Sequence, residues 1–191
     1  MTRLGLTPSQ TVGPFFHGMI QDGANVLVTP HTRGDRIRIE GRVRDGDGAP
    51  VPDALLEIWQ ANARGRYRHP ADRRDVPLDP TFIGFGRART DGAGAYWFET
   101  VKPGPVPFPV ADAWQAPHVN LAVSARGLLN HLLTRIYFDD EAANRTDPVL
   151  QRVPDARRST LVAARTLVNG AAVYRFDVVL QGRAETVFFD L

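Results

Sequence analysis

The sequence ARTLVNGAAVYRFDVVL, residues 164–180, decides the fold class. Two largely apolar runs, Ala164 to Val168 and Ala172 to Leu180, flank the dipeptide Asn169-Gly170. Asparagine and glycine both tolerate the positive φ angles of a type I′ turn, which is the tight turn that joins neighbouring antiparallel strands. These residues therefore predict a β-hairpin near the end of the chain.

Upstream of this hairpin, apolar and polar residues alternate as they do in strands. Between residues 37 and 43, isoleucine and valine alternate with charged residues, which is the two-residue period of a half-buried strand. A second strand is expected from Ala54 to Gln60. The two could pair as a hairpin with Pro50 and Pro52 at its edge, where a missing backbone donor costs least.

Strands continue through the middle of the chain, and helices are few. In the strand expected from Ala95 to Val101, Tyr96 and Phe98 share one face. Asp147-Pro148 suits the start of a helix, and Asp155 to Val162 is expected to form another short one. Further strands are expected at His118 to Val123 and at Arg135 to Phe138.

Regularly spaced short strands with few helices predict a mainly β chain, a β-sandwich of mixed topology with a few short helices. We expect the sandwich at residues 36–191, preceded by an N-terminal arm at residues 1–35. With 191 residues, 43% of them hydrophobic, the chain can bury one sizeable core. The 15 prolines and 17 glycines are scattered between apolar runs, as turn residues are.

Charge and cysteine content indicate which classes of partner and which cellular compartment to expect. The sequence pI is about 9.4, yet the net charge is only +2. Arginines are interspersed with acids, so the sequence has no basic stripe that could bind along a nucleic-acid backbone. The chain has no cysteine, which excludes a disulfide framework, and no apolar stretch of signal-peptide or membrane-spanning length. We therefore expect a soluble cytoplasmic protein that binds neither nucleic acid nor membrane.

Two side chains could serve as metal ligands. Tyr67 lies in a Gly-Arg-Tyr-Arg-His segment, and His118 precedes Asn120 on a strand, where both project to one face. These residues also fit a buried tyrosine and a histidine bonded to the backbone, and on their own they favour that structural interpretation. Asp139-Asp140-Glu141 could suggest a carboxylate site, but three adjacent acids cannot all face one centre, so a solvated loop is expected.

Five short segments stand out in order along the chain: Ile58 to Asn62, Gly65 to His69, Val101 to Pro105, Pro117-His118 and Tyr174 to Asp177. They resemble segments of the intradiol dioxygenases, and the likeness runs from Thr7 to Leu191, nearly the whole chain. The resemblance implies a non-heme ferric ion held on a β-sandwich by two tyrosines and a His-x-His pair, since phenolate oxygens and imidazoles suit a trivalent iron.

Matched position by position, the chain keeps half of those ligands. Tyr67 matches the first tyrosine and His118 the first histidine, whereas Val106 stands at the second tyrosine and Asn120 at the second histidine. Valine has no lone pair and an asparagine carbonyl is a weak neutral ligand, so we expect no metal in this chain. The resemblance explains the loss, because protocatechuate-cleaving members have two homologous subunits and only one keeps all four ligands. Fe(III) is then expected in the partner subunit.

The N-terminal arm resembles that of the iron-free subunit. Its sequence TPSQTVGPF, residues 7–15, matches an arm that lines the substrate pocket of the joined pair. By this match Thr11, Gly13, Pro14 and Phe15 are substrate-binding residues, and Phe15 stands where the family often has tyrosine. The alternative is a surface arm with turn residues.

Arg126 is matched in the same way to an arginine that faces the shared pocket. A planar guanidinium can bind a carboxylate through two parallel hydrogen bonds, and protocatechuate differs from catechol by a carboxylate. The resemblance therefore implies that Arg126 selects an anionic substrate. The alternative is a solvated surface arginine.

Together these matches imply a subunit of a heteromeric enzyme. We expect the chain to pair with a homologous iron-bearing beta subunit in a higher hetero-oligomer. There it would complete the pocket for the dihydroxybenzoate substrate and O2, in which protocatechuate is cleaved to 3-carboxy-cis,cis-muconate. Two alternatives remain open: a self-sufficient catechol dioxygenase with an atypical metal site, and a non-catalytic β-sandwich binding or scaffold protein.

Overall fold

Strands form most of the regular structure in the computed structural model, which describes residues 21–110 and 112–190. Within these residues, helical structure consists of helix α1 (Asp155–Arg158) and 3-10 turns at Ala142–Arg145, Leu150–Arg152 and Ser159–Leu161. The strands are β1 (Arg36–Arg44), β2 (Leu55–Trp59), β3 (Phe85–Arg89), β4 (Ala95–Val101), β5 (Val106–Pro107), β6 (Trp114–Gln115), β7 (His118–Ser124), β8 (Leu132–Phe138), β9 (Val162–Val168), β10 (Ala171–Arg175) and β11 (Val178–Val179).

The strands form a nearly closed sheet whose two halves enclose a shared core. One half contains β4, β1, β10 and β9, and the other contains β8, β7, β2 and β3. Strand β9 joins them, because it pairs with β10 along residues 164–168 and with β8 at residues 162 and 163. Parallel pairs such as β1 with β10 lie among antiparallel ones, which confirms the predicted β-sandwich of mixed topology. Both halves contribute fully buried side chains: Ile39, Val43, Leu56, Ile58, Phe98, Leu121 and Ile136.

The predicted hairpin is present as β9 and β10. The strands pair antiparallel from Val168 opposite Ala171. Asn169 and Gly170 adopt φ angles of 50° and 81°, the positive values that asparagine and glycine tolerate.

The second strand of this hairpin is interrupted, whereas the sequence predicted one strand from Ala172 to Leu180. Strand β10 runs beside the first half of β1 and β11 beside its end. Between them the backbone approaches β1 so closely that a Cβ at Gly41 would lie 1.8 Å from the Phe176 carbonyl oxygen. Asp177 Oδ1 accepts the Arg42 N–H at 2.9 Å there, so a side chain takes the place of a ladder bond.

Strands β1 and β2 do not pair, so the hairpin predicted for them is wrong. Strand β1 pairs with β4 and β10, whereas β2 pairs with β3 and β7. The chain turns back on β1 only as far as Val51, whose N–H donates to the Val43 carbonyl at 2.9 Å. The Ala54 N–H then donates to Thr90 Oγ1 at 2.8 Å. The connection therefore crosses between the two halves, which residue alternation alone does not reveal.

The remaining predictions differ mainly at element ends. The other predicted strands are present, and β8 begins at Leu132, earlier than the predicted Arg135. Strands β3, β5 and β6 were missed because β3 buries only Gly86 and Ala88 and the other two are very short. The helix predicted from Asp155 is α1 followed by a 3-10 turn, and Asp147-Pro148 begins a turn and not an α-helix.

Residues 21–35 pack against the sheet. Leu27 and Val28 are buried in the main core, and the Leu27 N–H donates to the Glu99 carbonyl at 2.8 Å. The first 20 residues of the predicted arm lie outside the described residues, so its boundary at residue 35 stays a prediction. In the described ranges, no helix combines the length and apolar character needed to cross a bilayer.

Candidate functional site

The four positions matched to metal ligands lie at one end of β7; we call Tyr67, Val106, His118 and Asn120 the degenerate centre. His118 and Asn120 are on β7, Val106 is on β5, and Tyr67 is in the loop after β2. Gly65, with a φ of 77°, lets this loop approach β5, because a Cβ there would lie 2.0 Å from the Pro105 carbonyl oxygen.

Tyr67 is half-buried and held on three sides. Its ring stacks on Trp59 with centroids 5.8 Å apart and an interplanar angle of 17°. Its N–H donates to Asp72 Oδ2 at 2.9 Å. Burial raises the pKa of the phenol, although a hydrogen bond with Asn120 and the Arg135 cation both act in the opposite direction. The side chain is therefore a neutral phenol at neutral pH and not a phenolate.

His118 is buried and neutral. Its Nδ1 lies 2.7 Å from the Ala116 carbonyl oxygen, which accepts a hydrogen bond when Nδ1 carries the proton. Burial lowers the pKa of the imidazole to about 4, and the Arg135 cation adds to the shift. At neutral pH the ring therefore has no charge, and its Nε2 keeps a lone pair.

Arg135 is the residue of this region that the sequence analysis missed. It lies on β8 directly opposite Asn120 on β7, and its Nη1 donates to Gln115 Oε1 at 2.8 Å. It is close enough to influence the pKa of both Tyr67 and His118. The register of β7 against β8 could have revealed it, but the sequence predicts both strands without specifying their register.

Asp147 anchors the other side of His118. The carboxylate is fully buried and accepts the Tyr137 hydroxyl at 3.1 Å and the Ala116 N–H at 2.8 Å. It also accepts the backbone N–H groups of Val149 and Leu150 at 2.9 and 2.7 Å. Burial, followed by the Asp147 charge, raises the pKa of Tyr137, so this phenol is a stable donor. A buried carboxylate with four donors is a structural anchor.

The donors of the degenerate centre do not fit a ferric ion. They comprise one phenol, one imidazole and a weakly coordinating amide, and Val106 supplies none. A fixed arginine cation stands beside them, which further disfavours a trivalent cation.

Of the substrate-binding residues predicted from the resemblance, the structure describes Arg126, which lies away from the degenerate centre. Arg126 follows the far end of β7, roughly 20 Å from His118 at about 3.3 Å per residue. Its side chain is 80% exposed, and its Nη2 lies 3.4 Å from Asp53 Oδ2; we call this pair the arginine edge. Thr11, Gly13, Pro14 and Phe15 lie outside the described residues. The substrate-binding roles of all five residues remain predictions.

The acidic run Asp139-Asp140-Glu141 is more than a solvated loop. Lys102 Nζ lies 2.9 Å from Asp140 Oδ1 and 2.7 Å from Glu141 Oε1. The Tyr174 hydroxyl donates to Asp140 Oδ2 at 3.0 Å. These contacts tie the end of β4 to the end of β8. The run therefore has a structural role, which was not predictable because its partners Lys102 and Tyr174 are distant in the sequence.

Comparison with known proteins agrees with this architecture. A family model described as Dioxygenase matches residues 12–182. The protocatechuate 3,4-dioxygenase alpha chain of Burkholderia cepacia is 48% identical, with all of both chains covered. The alpha chain of Pseudomonas putida is 44% identical over 96% of each chain. The beta chain of Burkholderia cepacia is 38% identical over 93% of this chain and 77% of its own.

Solved structures share the fold. The 3-chlorocatechol 1,2-dioxygenase of Rhodococcus opacus 1CP superposes with a TM-score of 0.66 at 21% identity, covering 84% of this chain and 66% of its own. The dioxygenase domain of a carbohydrate-binding fusion protein from Streptomyces sp. SirexAA-E gives 0.63 at 24% identity, covering 92% and 98%. From the matched family model and the full-length relatives, the chain belongs to the intradiol ring-cleaving dioxygenase family.

Proposed function

We propose that this chain is the iron-free subunit of a heteromeric protocatechuate 3,4-dioxygenase and completes the substrate pocket of a homologous iron-bearing chain. The similarity to two alpha chains extends along almost the whole sequence, and a beta chain is also related. A homologous pair is what a two-subunit enzyme of this family requires. The observation that carries the proposal is the degenerate centre, where Val106 and Asn120 stand in place of two of the four ligands that Fe(III) would need.

In this proposal the partner holds Fe(III), and the present chain supplies shape and charge. The reaction adds both atoms of O2 to protocatechuate and breaks the ring bond between its two hydroxylated carbons, giving 3-carboxy-cis,cis-muconate. Arg126 binds the substrate carboxylate through its guanidinium, while Thr11, Gly13, Pro14 and Phe15 form a wall of the pocket. The high exposure of Arg126 and its half-exposed partner Asp53 support this role, because such an ion pair exchanges readily for a ligand.

The decisive experiment measures iron content and ring-cleavage activity for the chain alone, for the partner alone and for the co-expressed pair. We expect the chain alone to bind no stoichiometric iron and to cleave no catechol, and the pair to have both iron and activity. Stoichiometric iron with activity in the single chain would establish the self-sufficient alternative. A pair that forms no complex would favour the binding or scaffold alternative. Further assembly of αβ pairs and a cytoplasmic location belong to the same proposal.

A further inference from the structure

A small cleft opens on the outer face of the sheet beside the degenerate centre. Its volume is about 230 Å³, below the roughly 300–1,000 Å³ typical of sites for drug-sized ligands. It therefore suits a single aromatic ring. The backbone of the C-terminal segment closes one side, because the Phe189 N–H donates to the Leu133 carbonyl at 2.8 Å. Its lining includes Trp59, Phe85, Asn120, Leu133, Arg135 and Phe189.

The register of three adjacent strands places the polar and apolar parts of this cleft side by side. Trp59 on β2 lies opposite Asn120 on β7, which lies opposite Arg135 on β8. Neighbouring strands are about 4.8 Å apart, so this row spans roughly 10 Å, the length of one substituted aromatic ring. One end of the row is an indole and the other is a guanidinium.

Arg135 lacks a carboxylate partner among the described residues, since it takes part in none of their ion pairs. Its Nη1 donates to Gln115 Oε1 at 2.8 Å, and the Tyr137 hydroxyl lies 3.5 Å away. A guanidinium has five N–H donors, so further donors remain for a ligand. The other charged lining residue, Glu57, is already paired with Arg87 at 2.6 Å.

We propose that this cleft binds an aromatic monocarboxylate without a metal. The carboxylate contacts Arg135 beside Asn120, and the ring packs against Trp59 and Leu133. A cation at the end of an apolar cleft is complementary to an anion attached to an aromatic ring. The site uses none of the residues assigned to the shared pocket, so it is independent of the proposed function.

The test is a titration of the full-length chain with 4-fluorobenzoate at neutral pH, followed by 19F NMR line broadening. We expect binding at millimolar probe, and at least tenfold weaker binding by Arg135→Met, which keeps the apolar stem and removes the charge. Arg175→Met is the matched control, because Arg175 is 70% exposed and has one carboxylate 3.6 Å away. Its binding should equal that of the wild type. The neutral probe 4-fluorobenzamide should bind at least tenfold more weakly than 4-fluorobenzoate.

A second variant keeps the test decisive should Arg135→Met fail to fold. Leu133→Trp fills the cleft from its partly exposed wall and leaves Arg135 in place, so it should abolish probe binding. Three results would overturn the proposal: no binding to the wild type, binding that persists in Leu133→Trp, or binding that is lost only in Arg126→Met. None of these depends on iron or on ring cleavage, so the proposed function stands or fails separately.

Discussion

The two ends of β7 are built in opposite ways. At the His118 end, side chains of the degenerate centre are linked to buried partners, including the Asp147 carboxylate through Tyr137 and the Ala116 backbone. At the arginine edge, Arg126 is exposed and has one half-exposed carboxylate 3.4 Å away. The end matched to the family's metal site is therefore held by a buried hydrogen-bond network, whereas the arginine edge keeps an exposed cation.

The largest expected effect comes from Asp147, at the His118 end of β7. Asp147→Ala removes the acceptor of four hydrogen bonds in a fully buried position. Leaving these donors without partners should lower the free energy of unfolding by about 3–5 kcal/mol. Urea unfolding of the full chain measures this as a lower midpoint. Asp155→Ala is the control, because its side chain is 87% exposed and its surface pair should contribute less than about 1 kcal/mol. Equal losses in both variants would show that Asp147 is no anchor.

His118 gives the second effect, as a dependence of stability on pH. Its folded pKa is lowered to about 4, whereas an unfolded histidine titrates near 6.5. Between these values the unfolded state binds more protons than the folded state. The stabilisation that comes from holding His118 neutral is therefore complete above pH 6.5 and is lost as the pH falls to 4. The loss should reach about 3 kcal/mol.

The measurement compares unfolding free energies of the wild type and His118→Asn between pH 7 and pH 4. The asparagine amide keeps a donor for the Ala116 carbonyl but does not titrate. We expect the variant to be less stable at pH 7 and to show a flatter pH profile. Parallel profiles would mean that His118 is not held neutral.

Local features of the fold were predictable from the sequence, whereas the pairing of distant strands was not. The turn residues Asn169-Gly170 predicted a hairpin because their φ angles are a local property, and the structure has it. The pairing of β1 with β4 and β10 was not predictable, since it depends on contacts between distant residues. The same limit concealed Arg135, whose place beside Asn120 follows from strand register.

Residue identity was equally informative for the donor set of the degenerate centre. Val106 and Asn120 cannot replace a phenolate and an imidazole, and their identity alone predicts this. The structural roles of Asp147 and Lys102 were not predictable, because each contacts residues that are distant in the sequence. Their carboxylate and ammonium groups are ordinary charged residues in the sequence, and only burial and partners distinguish them.

Asp72 should give a smaller effect in a more acidic range. The Arg74 side chain, hydrogen-bonded to it, lowers the pKa of Asp72 to about 2, against about 3.9 when unfolded. Its stabilising contribution is therefore complete above pH 4 and is lost as the pH falls to 2. Asp72→Asn should cost about 1–2 kcal/mol at pH 7 and little near pH 2. Denaturant midpoints at both pH values test this, with the exposed Asp75→Asn as control. A cost that is equal at both pH values would contradict the assignment.

Arg126 should give the smallest effect on stability and a distinct effect on the enzyme pair. Because its ion pair is exposed, Arg126→Ala should change the unfolding free energy by less than about 0.5 kcal/mol. In the complex, loss of a ground-state contact with the substrate carboxylate should raise KM for protocatechuate about tenfold and leave kcat nearly unchanged. Arg175→Ala should leave both constants unchanged. Catechol lacks the carboxylate, so it separates charge recognition from packing. Its KM should be the same with and without Arg126. An equal rise in KM for both substrates would mean that the arginine shapes the pocket and does not bind the carboxylate.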